Sequence, residues 1–244
     1  MIRHGAGSMF LLILALGVLA WAQDAATSVT KKSEEGGLVR LPAPRLDGPM
    51  SVERAIQGRR SVRAFSGEAL TLAELSQVLW AAYGITQPRP DGPAFLRGGL
   101  RAAPSAGGLY PLEIVVVAGQ VTGLPAGIYR YVSEKHVLLP LRDGDRRLDL
   151  CQAALGQSWI RQAPAAIVYA AVFERTTKKY GQRGRDRYVC MDAGHSCENV
   201  YLQAQALGLG CCIAGAFDDD RVKQVLNMAA AEEPLCILAV GKTK

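Results

Sequence analysis

The sequence predicts a mixed α+β domain, in which helices cover a central sheet. Amphipathic stretches with apolar residues three, four and seven positions apart are typical of helices that bury one face. Short, continuous apolar runs between them are typical of buried strands. No internal repeat divides the segment 51–244, which is long enough for one domain with a proper core.

Five stretches predict helices. Residues 51–57 begin with Ser51, a good N-cap, and carry Glu53 in the first turn. Residues 70–83 contain Thr71 and Glu74 at the spacing of a capping box. The other predicted helices are residues 148–160, a long helix that starts near 186 and stops at Gly208 and Gly210, and residues 218–228.

The strand predictions follow from apolar runs and from alternation. Continuous apolar runs predict buried strands at 114–118, 164–173 and 235–240. Residues 127–140 alternate around a polar Ser-Glu-Lys turn and predict a β-hairpin. Residues 84–99 contain three prolines and predict a mobile surface loop.

The N-terminal 22 residues resemble an export signal. Arg3 and His4 precede an apolar run at 10–19, which is short for a membrane span, and residues 20–22 fit the small-x-small cleavage rule. We therefore expect export to the periplasm or another extracytoplasmic space. The alternative is an uncleaved segment that tethers the protein to the membrane. Residues 23–50 predict a linker or extended arm, which leaves 51–244 as the folded domain.

Charge and cysteine placement exclude some functions. The formal charge of +6 comes from scattered basic residues, whereas nucleic-acid binding favours a dense basic stripe, so we expect no nucleic-acid partner. Cys190 and Cys197 would lie about 10 Å apart on one helix, and adjacent Cys211 and Cys212 could bond only with strain. The cysteines therefore predict buried thiols, and the sequence predicts no metal site.

Three turns could share one flat, anionic ligand. In the basic turn, Arg59, Ser61 and Arg63 share one side of an extended segment and could bind a phosphate or a ring edge. Residues 104–108, PSAGG, could bring backbone against a planar ligand. Residues 211–216 predict an apolar loop that could form a wall. The alternatives are a solvated basic turn, a plain strand-entry turn and a buried turn.

Together these turns suggest a nucleotide-type cofactor. The GxGxxG pattern of a dinucleotide fold and the GKS/T of a P-loop are both missing from the sequence, so neither a Rossmann NAD site nor an ATP site is expected. The lysines at the end of the chain could add charge that attracts a phosphate.

Five motifs in register carry a family resemblance: RRSVRAF, APSAGGLYPLE, KYGQRGRDRYVCMDAGHSCEN, GLGCCIAGAF and LAVGK. In this order they resemble the nitroreductase family of flavin enzymes, and more closely its SagB/ThcOx branch of dehydrogenases. The resemblance covers about residues 51–242. It implies a nitroreductase-like fold with a mainly antiparallel central sheet flanked by helices. It also implies a homodimer that binds FMN non-covalently at the subunit interface.

The resemblance assigns site residues by position. Contacts to the flavin phosphate, pyrimidine edge, ring face and N5 are implied for Arg59, Ser61, Arg63, Pro104, Ser105, Ala106, Gly107, Ala214, Gly215, Lys242 and Lys244. An adjacent Lys-Tyr pair near the substrate of the azoline oxidases corresponds to Lys179 and Tyr180, which would be catalytic. The alternative for this pair is a solvated charged loop.

The expected activity is transfer of two electrons between a reductant, with NAD(P)H as a candidate, and a small organic substrate such as a quinone or nitro compound. One alternative is a SagB/ThcOx-like dehydrogenase that oxidises azolines in peptides. The other is a non-catalytic flavin-binding protein.

Overall fold

The computed structural model describes residues 37–244. The predicted signal segment 1–22 and residues 23–36 of the predicted linker lie outside the described residues. None of the helices within 37–244 combines the length and apolar character needed to cross a membrane.

Seven strands form the central sheet, and two strand pairs lie outside it. The strands are β1 Val39–Arg40, β2 Leu70–Thr71, β3 Ile85–Pro88, β4 Gly99–Arg101, β5 Leu112–Ala118, β6 Val121–Thr122, β7 Gly127–Val132, β8 Val137–Asp143, β9 Ala165–Ala171, β10 Leu209–Ala214 and β11 Glu233–Lys242. The central order is β1-β8-β7-β5-β9-β11-β10, and every neighbouring pair is antiparallel. This confirms the predicted α+β class and the mainly antiparallel sheet.

The helices are α1 Val52–Gly58, α2 Leu72–Tyr83, α3 Arg147–Ala153, α4 Ser158–Gln162, α5 Glu174–Tyr180, α6 Val189–Ala206 and α7 Asp219–Leu226. Two predicted caps are confirmed. Ser51 accepts a hydrogen bond from the Arg54 N–H, and Thr71 and Glu74 form a complete capping box. A π-helical turn, Gly184–Tyr188, leads directly into α6.

A separate hydrophobic core lies on each face of the sheet, because alternate residues of a strand point to opposite faces. On one face, Ile167 and Tyr169 of β9 pack in a cluster with residues of α2 and α6. On the other, Ala166 and Val168 pack in a cluster with residues of α3, α4 and α7. The long helix α6 therefore lies against the first face, and it carries the side chains that organise the candidate site.

Three predicted elements differ from the structure. The predicted helix 148–160 is two short helices, because Leu155 and Gly156 take positive φ values of 57° and 74°. The predicted mobile loop 84–99 contains β3 and leads into β4, which pair as a hairpin.

The predicted loop at 211–216 is wrong for most of its length, since β10 pairs with β11 from Leu209 to Ala214. A Cβ on Gly210 would lie 2.6 Å from the Val62 Cβ. Gly210, which in the sequence predicted the end of a helix, therefore allows β10 to pack closely against Val62.

The cysteine prediction is confirmed for five of the six residues. Cys151, Cys197, Cys211, Cys212 and Cys236 are buried, free thiols, whereas Cys190 is exposed.

Candidate cofactor site

The basic turn runs alongside β10 and the end of β11. The Val62 N–H donates to the Cys211 carbonyl oxygen at 2.9 Å, and Ser61 forms a bridge with Cys211. Further along, the Ser66 N–H donates to the Lys242 carbonyl oxygen at 2.9 Å. These backbone bonds bring together three segments that are far apart in the sequence: the basic turn, the strand β10 and the chain terminus.

Tyr201 of α6 organises this junction. Its hydroxyl accepts a hydrogen bond from the Ile213 N–H at 3.0 Å and lies 3.4 Å from the Ser61 hydroxyl. The Arg59 guanidinium carbon lies 5.4 Å from the centroid of its ring, within the range of a cation–π contact. Burial raises the pKa of Tyr201, so the phenol remains protonated near neutral pH. Tyr201 was not singled out in the sequence, where an aromatic residue on the buried face of a helix is typical of core.

The cations of the basic turn are available to an anion. Within residues 37–244, Arg59 and Arg63 form no salt bridge with a carboxylate. Arg60 differs, because it folds back and donates to the Gln57 and Arg59 carbonyl oxygens at 3.0 and 2.7 Å. Lys242 lies 3.6 Å from Glu68. Guanidinium groups, a hydroxyl and an ammonium form a donor set that fits a phosphate.

The strand end beside the basic turn is open. Ile213 is 38% exposed, although its β10 neighbours are buried. A Cβ built on Gly215 would meet no atom within 4 Å. Gly215 therefore has free space where the edge of a planar ligand could approach, whereas the neighbouring Ala214 is buried. Lys244 is exposed next to Thr243, which bridges Phe65.

The turn at 104–108, the Ser/Gly turn, is held from inside by Asp192 of α6. The Ser105 hydroxyl donates to Asp192 Oδ2 at 2.5 Å, and the Ala106 N–H donates to Oδ1 at 3.3 Å. The Tyr110 N–H in turn donates to Ser105 Oγ at 2.9 Å. Asp192 is 3% exposed; burial raises its pKa, and the bonds from Ser105 and Ala106 oppose that rise. On its outer side the turn exposes Pro104 and Gly107.

The predicted catalytic pair lies at the end of α5, against the Ser/Gly turn. A Cβ on Gly107 would be 3.1 Å from Lys179 Nζ and 2.6 Å from Tyr180 Oη. Lys179 is exposed, while Tyr180 is half-buried and packs edge-on against Tyr188 with ring centroids 5.0 Å apart. The structure thus brings Lys179 and Tyr180 together with the Ser/Gly turn.

A buried carboxylate fixes α5 relative to the sheet. Glu113 of β5 contacts Arg175 at 2.6 Å, Arg130 at 3.0 Å and Arg97 at 3.2 Å. Burial would raise the pKa of Glu113, but the surrounding guanidinium groups hold it below its usual value. Arg175 lies one helical turn before Lys179, so this network determines where the end of α5 sits. Sequence reasoning missed both Glu113 and Asp192.

The predicted site residues form two separate groups on this chain. The Ser/Gly turn is anchored at Asp192 and the basic turn at Tyr201. These anchors are nine positions apart on the helix, which is about 14 Å along the axis and about two and a half turns, so the side chains leave on opposite sides. Two grooves of about 420 and 430 Å³ lie elsewhere along α2, and no predicted site residue lines either of them.

Comparison with known proteins identifies the class. A family model described as Nitroreductase family matches residues 56–242. A protein of Methanocaldococcus jannaschii that carries the name nitroreductase (MJ1384) is 40% identical over 207 residues, which are 85% of this chain and 98% of that protein. These matches place the protein among the oxidoreductases. More narrowly, the chain belongs to the nitroreductase family.

Two further similarities concern the fold and the branch. The crystal structure of a Ralstonia eutropha protein described as a nitroreductase superposes with a TM-score of 0.71 at 29% identity, covering 85% of this chain and 90% of that one. The trifolitoxin-processing protein TfxB of Rhizobium leguminosarum bv. trifolii is 30% identical over 132 residues. That match covers 52% of this chain and 35% of TfxB.

Proposed function

We propose that the protein is a homodimeric, FMN-dependent oxidoreductase that passes two electrons from a reductant such as NADH or NADPH to a small organic acceptor, a quinone or a nitro compound. The observation that carries this proposal is the pair of cations Arg59 and Arg63. They flank Ser61 and lie beside an open backbone edge, with no carboxylate partner within residues 37–244. Two such cations attract an anionic cofactor electrostatically.

The cofactor residues divide by chemistry. Arg59, Ser61 and Lys242 would hold the phosphate, and Lys244 could add charge at the same end. Arg63 would face the ring edge that gains negative charge on reduction, and a fixed cation there favours the reduced state. FMN, when bound, supplies the chemistry by accepting and releasing two electrons. The chain orients both reactants and excludes water from the ring.

The ring would lie between the two residue groups. The backbone of Ala214 and Gly215 would contact one side of the ring. The other side of the ring could be covered by the turn that contains Pro104, Ser105, Ala106 and Gly107. A second copy of the chain would place its own Ser/Gly turn over this basic turn, since the two groups are well separated on one protomer. Val52 and Ile56, one turn apart on α1, are 63% and 57% exposed, and Met191 of α6 is 54% exposed. We expect dimerisation to cover such exposed apolar side chains.

The test is an absorbance spectrum of the purified protein, followed by anaerobic titration with NADH and with NADPH. A flavin spectrum that is bleached by either donor and restored by a quinone or nitro compound is expected. A protein that stays colourless at millimolar FMN would refute the proposal. Bound FMN that no donor reduces would instead support a non-catalytic flavin-binding protein.

A specific observation favours a second candidate, a dehydrogenase that oxidises azolines in peptides. Lys179 Nζ and Tyr180 Oη both lie against Gly107, so a base and a hydroxyl would be present beside the ring. In this role Lys179 would remove a proton from the substrate carbon while two electrons pass to the flavin. The name of the relative TfxB, a toxin-processing protein, is consistent with a peptide substrate. Turnover of an azoline peptide, lost in Lys179→Ala while FMN stays bound, would favour this candidate.

A further inference from the structure

We infer that Asp192 is a positioning residue, whose carboxylate holds the Ser/Gly turn in the shape that faces the cofactor. It does so by accepting hydrogen bonds from the Ser105 hydroxyl and the Ala106 N–H. The part of this inference that concerns the flavin rests on the proposed function. The part that concerns the turn does not.

The hydrogen-bond directions follow from the groups themselves. An ionised carboxylate only accepts and a backbone N–H only donates. The Ser105 hydroxyl must therefore donate its proton to Asp192 at 2.5 Å and accept from the Tyr110 N–H at 2.9 Å. Ala106 adds the second bond to the carboxylate, at 3.3 Å. Two bonds thus attach the turn to α6, and a third, from Tyr110 to Ser105, closes the turn itself.

This arrangement changes the role expected for Ser105. Its hydroxyl proton is committed to Asp192 and so is not available to a ligand. Pro104 and Gly107 face outward and are exposed. Ser105 therefore contributes through the shape of the turn. Asp192, at 3% exposure, lies behind the turn and out of reach of a ligand on its outer side.

A general structural role for Asp192 does not explain these contacts. An acidic residue in the first turn of a helix commonly caps free N–H groups. Here the preceding π-helical turn, Gly184–Tyr188, continues into α6, and the Tyr188 N-cap position makes no side-chain capping bond. Both oxygens of Asp192 bond to the Ser/Gly turn, and no arginine or lysine within residues 37–244 pairs with the carboxylate. A buried carboxylate needs hydrogen-bond partners, and here both bonds come from the Ser/Gly turn, while His195 of the same helix adds a smaller electrostatic attraction.

The first experiment measures the turn in the apo protein, by amide exchange at Ala106 and Tyr110. The variants are Asp192→Ala, Ser105→Ala and the double variant. The matched control is Ser196→Ala, which loses a buried hydrogen bond of 2.6 Å from the same helix to the Ala82 carbonyl oxygen. We expect exchange at Ala106 to be roughly tenfold faster in Asp192→Ala, as for loss of one hydrogen bond to a charged group, and unchanged in the control.

The second experiment measures FMN affinity and the reduction potential of the bound flavin. Asp192→Ala and Ser105→Ala should each raise the FMN Kd roughly tenfold, and the double variant should be no worse than either. The potential should shift in all three variants and stay constant in Ser196→Ala. If Asp192→Ala does not fold, Asp192→Asn replaces it. The asparagine side chain would keep one acceptor oxygen for Ala106, so a smaller effect is expected.

The possible outcomes distinguish a failure of the inference about Asp192 from a failure of the proposed function. Unchanged exchange at Ala106 in a folded Asp192 variant would overturn the inference, as would an equal increase in Ser196→Ala. A Ser105→Ala effect on FMN that adds fully to that of Asp192→Ala would also overturn it, because Ser105 would then contact the flavin directly. If the exchange result is as expected but the wild-type protein binds no FMN, the turn is held as inferred and the proposed function fails.

Discussion

Gly107 approaches Tyr180 so closely that a Cβ on the glycine would lie 2.6 Å from the Tyr180 hydroxyl oxygen. The two residues are far apart in the sequence, and they join the Ser/Gly turn to the end of α5. Gly107 also has φ +64°, a conformation that L side chains rarely adopt.

Gly107→Ala should therefore displace Tyr180 as well as strain the turn. The backbone strain alone should lower the free energy of unfolding by about 1–3 kcal/mol. Gly208→Ala is the matched control, because Gly208 has φ +70° and a Cβ there meets nothing within 4 Å. We expect both variants to lose stability in urea denaturation but only Gly107→Ala to lose turnover. Equal turnover in the two variants would show that the contact with Tyr180 is unimportant.

Arg59→Ala should weaken FMN binding by about 1–3 kcal/mol, the range for losing a charged hydrogen bond. Arg60→Ala is the control, since the Arg60 side chain bonds to the Gln57 and Arg59 carbonyl oxygens. FMN fluorescence quenching would measure both affinities. An affinity for Arg59→Ala equal to that of the wild type would remove this residue from the site.

Lys179→Ala separates the two proposed reactions. If Lys179 is the base of an azoline dehydrogenase, turnover of that substrate should fall by roughly two to four orders of magnitude while FMN stays bound. Reduction of a quinone by NADH should change little. Lys178→Ala is the control, because Lys178 pairs with Glu174 at 3.0 Å on the exposed side of α5. A similar loss in both variants would indicate a general effect of charge.

His136 should make stability depend on pH. Burial lowers its pKa below the usual value, and its ring lies within hydrogen-bond distance of Tyr131, Ser76 and the Pro42 carbonyl oxygen. The unfolded chain therefore binds a proton more readily than the folded one. Stability should be greatest above the unfolded pKa of about 6.5 and fall as the pH drops toward the folded pKa.

Urea denaturation at pH 7.5 and pH 5.0 measures this dependence. His136→Gln should lose less stability between the two pH values than the wild type. A wild-type protein that is equally stable at both values would contradict the prediction.

Local sequence signals were sufficient for much of the fold. The capping box of Thr71 and Glu74 and the apolar run of β5 depend on residues close in the chain, and both predictions are confirmed. The strand β10 was missed because Gly210 is typical of a helix stop, and its need for small size comes from Val62, a distant neighbour. Leu155 was not expected to end a helix, since positive φ is uncommon for leucine.

The candidate site was harder to predict from local sequence patterns than the fold was. The basic turn could be noticed from its composition, but the partner that orients it, Tyr201, lies 140 residues from Ser61. Asp192 and Ser105 are separated by 87 residues, and nothing near either one signals their bond. Lys179 and Tyr180 were recognised through family resemblance, whereas their contact with Gly107 required the fold.

The placement of Asp192 and Tyr201 on one uninterrupted helix limits how this chain can vary in length. Inserting or deleting a single residue between them would rotate one anchor by about 100° relative to the other and shift it by about 1.5 Å. The Ser/Gly turn and the basic turn could then no longer both keep their bonds to α6. Functional variants should therefore tolerate length changes in the connections around this helix, but not in the span from 192 to 201.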